Sequence, residues 1–274
     1  MSSVNRRVLP GFYPSLGFTV VYLTVLVVVP LAACCLKAAS LSPDEFLAAV
    51  WNERARAAYA LTFGTSVLAA AANVALGLLI AWVLVRYQFP FKRLFDSLID
   101  LPFALPTAVA GLVYSSLYVR GGWLGRFLVP LGIEAAYSRL AIVLVLTFIG
   151  LPFVVRTVQP VLESVDAELE EASSSLGASR WQTFRRVILP LLVPALTTGF
   201  VLAFARALGE YGSVVFVSGN MPLRTEIAPV LIVARLSEFR YAEATAIAVV
   251  LLAVSFLLLG LINLLERWGK SYEA

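Results

Sequence analysis

Two ionisable side chains interrupt a long apolar region in the second half of the sequence. Arg206 and Glu210 lie within the stretch from Val187 to about Gly219. One charge at the centre of a bilayer costs roughly 2.5–3.5 kcal/mol on insertion scales, so two unpaired charges would cost about 5–7 kcal/mol. Four residues separate them, so both face one side of a helix and can form an ion pair. Alternatively, they face a water-filled cavity where the arginine would attract an oxyanion. The two interpretations are compatible.

The residues around this pair form the candidate translocation pathway or gate. Gly209 and Gly212 flank Glu210 and would let the helix bend. The predicted pathway or gate residues are Arg206, Glu210, Tyr211 and Ser213.

Side chains that most enzymes use for catalysis or metal binding are scarce in this sequence. Histidine is absent, and the two cysteines, Cys34 and Cys35, are adjacent within an apolar run. This composition argues against a histidine general base, a zinc site and a structural disulfide framework. We therefore expect no catalytic, cofactor-binding or metal-binding residues, and a membrane-embedded enzyme has little chemistry to use.

The largest polar segment, residues 159–190, is acidic in its first half and basic in its second. Four carboxylates between residues 166 and 171 precede Gly177, and three arginines follow it. This order suits the helix dipole and a glycine-terminated helix, so it predicts a helix, a turn and a second helix on the membrane surface. An apolar stripe at three- and four-residue spacing indicates docking into a partner's groove or contact with lipid. The stripe consists of Leu162, Val165, Leu169, Ala172 and Leu176.

The same segment contains a spaced motif. Glu171-Ala172-Ser173 is followed after three residues by Gly177, and after nine more by Val187, one residue and Leu189-Pro190. This resembles the EAA signature of bacterial ATP-binding-cassette import permeases, with Ser173 in place of the second alanine and Val187 in place of isoleucine. The resemblance implies a cytoplasmic coupling helix seated in a cleft of a separate ATPase subunit. The coupling residues that it implies are Glu171, Ala172, Gly177, Leu189 and Pro190.

A second resemblance extends over nearly all of the chain. The region Ala205–Ala246, together with Leu101–Gly111 in the third apolar run, is similar to the T-type (also called U) permeases of sulfate/thiosulfate importers. This implies that the chain forms half of a transmembrane pathway for sulfate, with thiosulfate as a second substrate. Molybdate and tungstate permeases share the EAA loop and a Gly-Glu-aromatic-Gly segment, so they remain an alternative.

The resemblance also implies the partners of this chain. They are a second homologous permease subunit, two copies of an ABC ATPase subunit and a periplasmic sulfate-binding protein. ATP would be used by the ATPase, and this chain would bind no cofactor. An ATP-independent secondary anion transporter or channel would also explain charges in the membrane, but it leaves Gly177 and Leu189-Pro190 unexplained. Basic residues are spread over short loops, so no nucleic-acid partner is expected.

The composition of the chain requires membrane lipid as its surroundings. Of 274 residues, 60% are hydrophobic and 14% charged, and the mean hydropathy is +0.88. Since roughly 20 apolar residues cross a bilayer, about six charge-free runs predict an all-α integral membrane protein with about six transmembrane helices. We predict one domain, 1–274, in which the run Ile227–Ala234 is re-entrant or interfacial. The predicted spans are Leu16–Leu36, Tyr59–Val85, Leu101–Val119, Leu140–Val155, Val187 to about Gly219, and Ala244–Leu265.

Basic residues near the ends of the spans indicate the orientation. Arg6 and Arg7 precede the first span, Arg86 follows the second, and Arg185 and Arg186 precede the fifth. Because cytoplasmic loops carry an excess of lysine and arginine, we place both termini in the cytoplasm. The resemblance to import permeases implies that the membrane is the inner membrane of a bacterium. The total count on the two sides is nearly equal, so charge bias alone does not decide the orientation.

Overall fold

The computed structural model describes residues 11–271, with side-chain surroundings for all of them except 263 and 265–271. Every regular element in this range is a helix, as predicted. Five helices are long and apolar enough to cross a membrane. They are α1 (Phe12–Ala38), α3 (Glu53–Arg86), α8 (Arg139–Glu163), α10 (Arg180–Leu208) and α13 (Tyr241–Ser271). Shorter helices join them: α2 (Pro43–Val50), α4 (Lys92–Ile99), α5 (Leu101–Ala104), α6 (Thr107–Tyr118), α7 (Gly125–Leu128), α9 (Ala167–Ser175), α11 (Val214–Val217) and α12 (Ala228–Ser237).

The predicted third span is two helices rather than one. Leu105 is extended, with φ −84° and ψ 132°, because the following Pro106 disfavours the helical conformation for the residue before it. The break separates α5 from α6. The Phe103 ring on α5 packs against Phe153 of α8 at 5.2 Å, and the Tyr114 ring on α6 against Phe148 at 5.5 Å. Both short helices therefore pack against α8, and neither is among the five helices long enough to cross a membrane.

The core is formed where α3, α8 and α10 pack against one another. Val154 of α8 is fully buried and lies between two glycines, Gly77 of α3 and Gly199 of α10. A Cβ added at Gly77 would lie 2.7 Å from Val154 Cγ1, and one at Gly199 would lie 2.9 Å from Val154 Cα. Small residues at these crossings therefore allow the helices to approach closely, as is common where lipid removes the hydrophobic force between helices.

The fourth and fifth predicted spans differ most from the structure at their ends. The fourth, predicted as Leu140–Val155, runs as α8 through Glu163, so the extra residues needed to cross the bilayer come from its C-terminal end. The fifth begins earlier, at Arg180, and ends at Leu208 rather than continuing to Gly219. The segment after Leu208 instead forms a turn and the four-residue α11. The predicted short helix after it is confirmed as α12.

Helix ends fall on two sides of the bundle. Arg86, at the end of α3, forms an ion pair with Glu170 of α9, and α8 ends and α10 begins next to α9. The opposite side holds α2, whose Ala49 packs in one cluster with Ala38 of α1 and Ala246 of α13. Helix α1 therefore starts, and helix α13 ends, on the side of α9.

Candidate functional site

Helix α9 ends in a hydrogen-bonded turn that depends on Gly177. This residue has φ +81°, in the left-handed region that side chains other than glycine enter at a cost. The Gly177 N–H donates to the Ser174 carbonyl at 2.9 Å, and the Ala178 N–H donates to the Ser173 carbonyl at 3.1 Å. This is a Schellman cap, which satisfies carbonyls that a helix C-terminus leaves free. The predicted glycine-terminated helix is therefore present.

Two side-chain contacts hold α9 against the transmembrane helices. Glu170 forms its ion pair with Arg86 of α3, and the Ser173 hydroxyl is 2.9 Å from the Thr183 hydroxyl of α10. The other face of α9 is exposed, including Glu171 and Ala172. Because no residue of α9 is buried, the helix presents a free surface beside its two anchors.

The predicted apolar stripe does not lie on one helix. Leu162 is fully buried in α8, and Val165 is buried in the link between α8 and α9. Only Leu169 and Ala172 belong to α9, and Leu176 at its end is 89% exposed. The prediction was wrong because Leu162 continues the membrane helix, whose 3.6-residue period runs on past Val155 until the turn at Ser164.

The predicted coupling residues lie on two elements. Glu171, Ala172 and Gly177 belong to α9 and its cap, whereas Leu189 and Pro190 lie inside α10. They follow a π-helical turn, Phe184–Ile188, that widens the start of α10. Pro190 has no N–H to donate, which frees a carbonyl of the preceding turn. The polar segment 159–190 is thus partly helix α8, partly α9 and partly α10.

The ion pair predicted between Arg206 and Glu210 is formed. The Arg206 Nη1 lies 2.5 Å from Glu210 Oε2, and the Glu210 side chain is only 3% exposed, against 34% for Arg206. The other carboxylate oxygen, Oε1, accepts hydrogen bonds from the N–H and the hydroxyl of Ser213, both at 2.9 Å. Glu210 therefore bridges the end of α10 and the start of α11, and its buried charge is compensated by an arginine and two donors.

Helix α6 packs directly against this turn. A Cβ added at Gly111 would lie 2.3 Å from the Ser213 carbonyl oxygen, and one at Gly212 would lie 2.3 Å from the Thr107 hydroxyl oxygen. Glycine is required at Gly111 because two backbones approach closely there, whereas a methyl group at Gly212 would meet a side-chain hydroxyl. The structure brings all four predicted pathway residues into one turn, with Ser213 fully buried and Tyr211 half-buried.

Comparisons with known proteins show the family to which this chain belongs. The model of the family described as binding-protein-dependent transport system inner membrane component matches residues 73–270. The chain belongs to this family. It is 50% identical over 254 residues to the sulfate transport system permease protein CysT of Synechocystis, covering 93% of this chain and 89% of that protein. It is 46% identical over 267 residues to the CysT protein of Escherichia coli K12, covering 97% and 96%.

Solved structures show that the fold is that of bacterial ABC transporters. A crystal structure of a bacterial ABC transporter involved in the import of the acidic polysaccharide alginate superposes with a TM-score of 0.76. The identity is 18%, and the match covers 93% of this chain and 94% of that chain. A second crystal structure shows a bacterial alginate ABC transporter in complex with an alginate pentasaccharide-bound periplasmic protein, with a TM-score of 0.76 and 20% identity. This chain is therefore a multi-pass inner-membrane component of a binding-protein-dependent transport system.

This permease contains two further charge clusters that sequence reasoning missed. On the α9 side, Arg156 of α8 binds Asp100 at 2.9 and 2.6 Å and Asp96 at 2.6 Å, with Gln159 accepting a fourth bond. On the opposite side, Arg54 of α3 forms two 2.7 Å bonds with Glu226, whose side chain is 3% exposed.

Few features of the local sequence predict these clusters. Arg156 is 56 residues from Asp100, and Arg54 is 172 residues from Glu226. The one usable signal was the i, i+4 spacing of Asp96 and Asp100, which places two carboxylates on the same face of a helix. A separate group of charges at the end of α12 is local, because a 2.7 Å hydrogen bond from Arg235 lowers the pKa of the nearby Glu238 carboxyl.

Proposed function

We propose that this chain is the permease subunit that forms half of the transmembrane pathway of an ATP-driven importer for sulfate. The observation that carries the proposal is its likeness to sulfate transport system permease proteins, at 46% and 50% identity over more than 90% of its length. Thiosulfate is proposed as a second substrate because its charge and tetrahedral shape are similar. No feature of the described residues favours the molybdate/tungstate alternative or an ATP-independent transporter.

The coupling role is proposed for α9 and its cap. Glu171 and Ala172 lie on the exposed face of α9, while Glu170 and Ser173 hold the opposite face to α3 and α10. A rigid, anchored helix with a free face suits a partner's cleft, because movement of that partner would be passed to both membrane helices. Leu189 and Pro190 contribute from within α10, where the widened turn joins α9 to the membrane core.

The partners follow from the proposed role. One six-crossing chain supplies half a pathway, so a second homologous permease would complete it. Two ABC ATPase subunits would hydrolyse ATP, and a periplasmic sulfate-binding protein would deliver the anion. If α9 faces the ATPase, the start of α1 and the end of α13 share its side, which supports cytoplasmic termini. Arg6 and Arg7, which point to the same orientation, lie outside the described residues.

Arg206 and Glu210 are proposed to lie at the pathway, together with Tyr211 and Ser213. The partly exposed guanidinium leaves a cation at the surface of the turn, while its carboxylate partner is buried. An oxyanion would be attracted to the exposed nitrogen atoms of Arg206, since guanidinium binds such anions in two-point geometry.

The proposal is tested by purifying this chain with its partners and placing the complex in proteoliposomes. We expect sulfate uptake that requires ATP and the sulfate-loaded binding protein, and that thiosulfate competes for. Molybdate uptake in place of sulfate would reassign the substrate. Purification without an ATPase, or uptake that persists after ATP depletion, would refute the ATP-driven mechanism.

A further inference from the structure

A cleft of about 750 Å³ separates α3 from the start of α10 on the α9 side of the bundle. One wall is a stripe on α3, formed by Ala75, Leu78, Leu79, Trp82 and Arg86. These positions follow the pattern i, i+3, i+4, i+7, i+11, so they lie on one face of the helix. The cleft is apolar along most of this wall and becomes charged where α3 meets α9.

The length of the cleft matches one leaflet of a bilayer. Eleven residues separate Ala75 from Arg86, which is about 16 Å at a rise of about 1.5 Å per residue. Half of the hydrocarbon core is about 15 Å thick. The apolar wall therefore has the depth of an acyl chain, and its charged end lies where a phospholipid headgroup would lie.

Aromatic rings line the level between the apolar and charged ends. The Phe184 ring of α10 contacts Trp82 edge-on at 5.4 Å and stacks on Trp181 at 5.6 Å. The Arg86 guanidinium lies 5.7 Å from the centre of the Trp82 ring. Tryptophan is enriched at the boundary between hydrocarbon and headgroups, so these rings place that boundary at the end of the cleft nearest to α9.

The charged end of the cleft has one positive charge without a partner. Arg86 pairs with Glu170, but Arg180, which also lines the cleft, forms no ion pair with any carboxylate side chain that the structure describes. Among the same side chains, Arg86 Nε is buried without a hydrogen-bond acceptor, so Arg86 contributes its charge to the cleft rather than this N–H. Two guanidinium groups and one carboxylate leave a net charge of +1, which complements a headgroup with a net charge of −1.

We propose that this cleft binds one anionic phospholipid of the leaflet on the α9 side. An acyl chain lies along Ala75, Leu79 and Trp82, and the phosphate accepts hydrogen bonds from the exposed Arg180 guanidinium, while Arg86 adds its positive charge to the same end. The lipid thereby contacts α3, α9 and α10 together and becomes part of the support of α9. This inference does not depend on which anion the permease transports.

Lipid retention by the purified permease complex tests the proposal. Native mass spectrometry, after exchange into detergent and addition of phosphatidylglycerol, measures the bound fraction. We expect Arg180→Gln to weaken retention about fivefold, the effect of one basic residue near a membrane surface. Arg185→Gln is the matched control, because Arg185 is also exposed and without an ion pair in the described chain but does not line the cleft. Equal retention in both variants would overturn the proposal.

A second pair of variants, one in the cleft and one outside it, tests the apolar half of the cleft. Leu79 lines the cleft and is 60% exposed, whereas Leu76 is 44% exposed on α3 but does not line it. We expect Leu79→Trp to fill the cleft and displace the lipid, and Leu76→Trp to leave retention unchanged. Displacement of the lipid by inorganic phosphate alone would assign the arginines to a free anion and contradict the proposal.

A measurement on the unaltered protein covers the case in which a variant fails to fold. Brominated phosphatidylglycerol, titrated into nanodiscs of phosphatidylcholine that hold the complex, quenches tryptophan fluorescence on contact. We expect one part of the quenching to saturate at a low fraction of brominated lipid, because Trp82 and Trp181 line one site, while exposed tryptophans elsewhere are quenched in proportion to that fraction. Quenching that rises linearly, or a cross-link from Leu79→Cys to the second permease, would show that the cleft holds no specific lipid.

Discussion

Gly177 offers the sharpest test of the coupling role of α9, because its substitution affects only backbone conformation. The residue has φ +81°, and a Cβ added there would meet nothing within 4 Å. Alanine therefore fits sterically, and its cost is the left-handed conformation itself, about 1–2 kcal/mol. At 1.4 kcal/mol per factor of ten, the capped turn would become roughly 5- to 30-fold less favoured relative to other conformations.

Gly132 provides a matched control on the opposite side of the bundle. It has φ +78°, is exposed, and also has nothing within 4 Å of an added Cβ. Gly132→Ala therefore carries the same conformational cost as Gly177→Ala, about 1–2 kcal/mol. A comparable loss of thermal stability is expected in both variants, whereas only Gly177→Ala should disturb α9 and its Schellman cap.

The assay is ATP hydrolysis and sulfate uptake by the reconstituted complex. We expect Gly177→Ala to lower the number of sulfate ions imported per ATP hydrolysed, and Gly132→Ala to leave that ratio unchanged. Gly177→Asn should recover part of the loss, since asparagine tolerates the left-handed region better than alanine. Equal ratios for Gly177→Ala and Gly132→Ala would refute the reasoning that the capped turn transmits movement.

Three further predictions concern the buried contacts. Arg206→Ala should lower stability by about 2–3 kcal/mol and impair uptake, because it leaves the buried Glu210 carboxylate unpaired. Glu210→Gln should cost only about 1 kcal/mol, since Arg206 reaches water. Thermal unfolding and uptake measure both effects, and full uptake by a normally expressed Arg206→Ala variant would show that the ion pair is dispensable. Gly111→Ala should displace α6 and reduce the folded yield, since its methyl group overlaps the Ser213 carbonyl. Gly64→Ala, which has nothing within 4 Å of the added methyl group, should be neutral or stabilising. Similar yields for the two variants would contradict the close approach of the α6 backbone to the Ser213 backbone. Arg54→Gln should destabilise the protein by about 2–4 kcal/mol, because it leaves the buried Glu226 carboxylate without its partner. The double variant Arg54→Gln/Glu226→Gln should recover part of this stability in thermal unfolding. No recovery would contradict the pairing of the two residues.

Local patterns in the sequence were sufficient for the membrane class and for most helices. Long charge-free runs locate α1, α3, α8, α10 and α13, because lipid-exposed backbone has to satisfy its hydrogen bonds within a helix. The glycine after the acidic turns located the end of α9, since its φ requirement is a property of the residue itself. The i, i+4 spacing of Arg206 and Glu210 was enough to predict their ion pair.

Helix boundaries were harder to predict because hydropathy does not determine them alone. Arg156 looked like the end of a span but lies inside α8, where two aspartates from α4 and the following turn compensate its charge. Leu105-Pro106 divides the third apolar run through a backbone restriction that hydropathy does not register. Leu162 was assigned to the coupling helix because the apolar period continues from the membrane into the loop.

The sequence by itself determined that this chain is a membrane protein, where its long apolar helices lie and which family signature its polar loop contains. These properties depend on composition and on short spacings between residues. Only the tertiary structure decided that Arg54 meets Glu226 across 172 residues, that Arg156 gathers two aspartates, and that the backbones of α6 and the Glu210 turn touch at Gly111. The physical reason is that a buried charge needs a partner in space, and the packing of distant helices decides which residue supplies it.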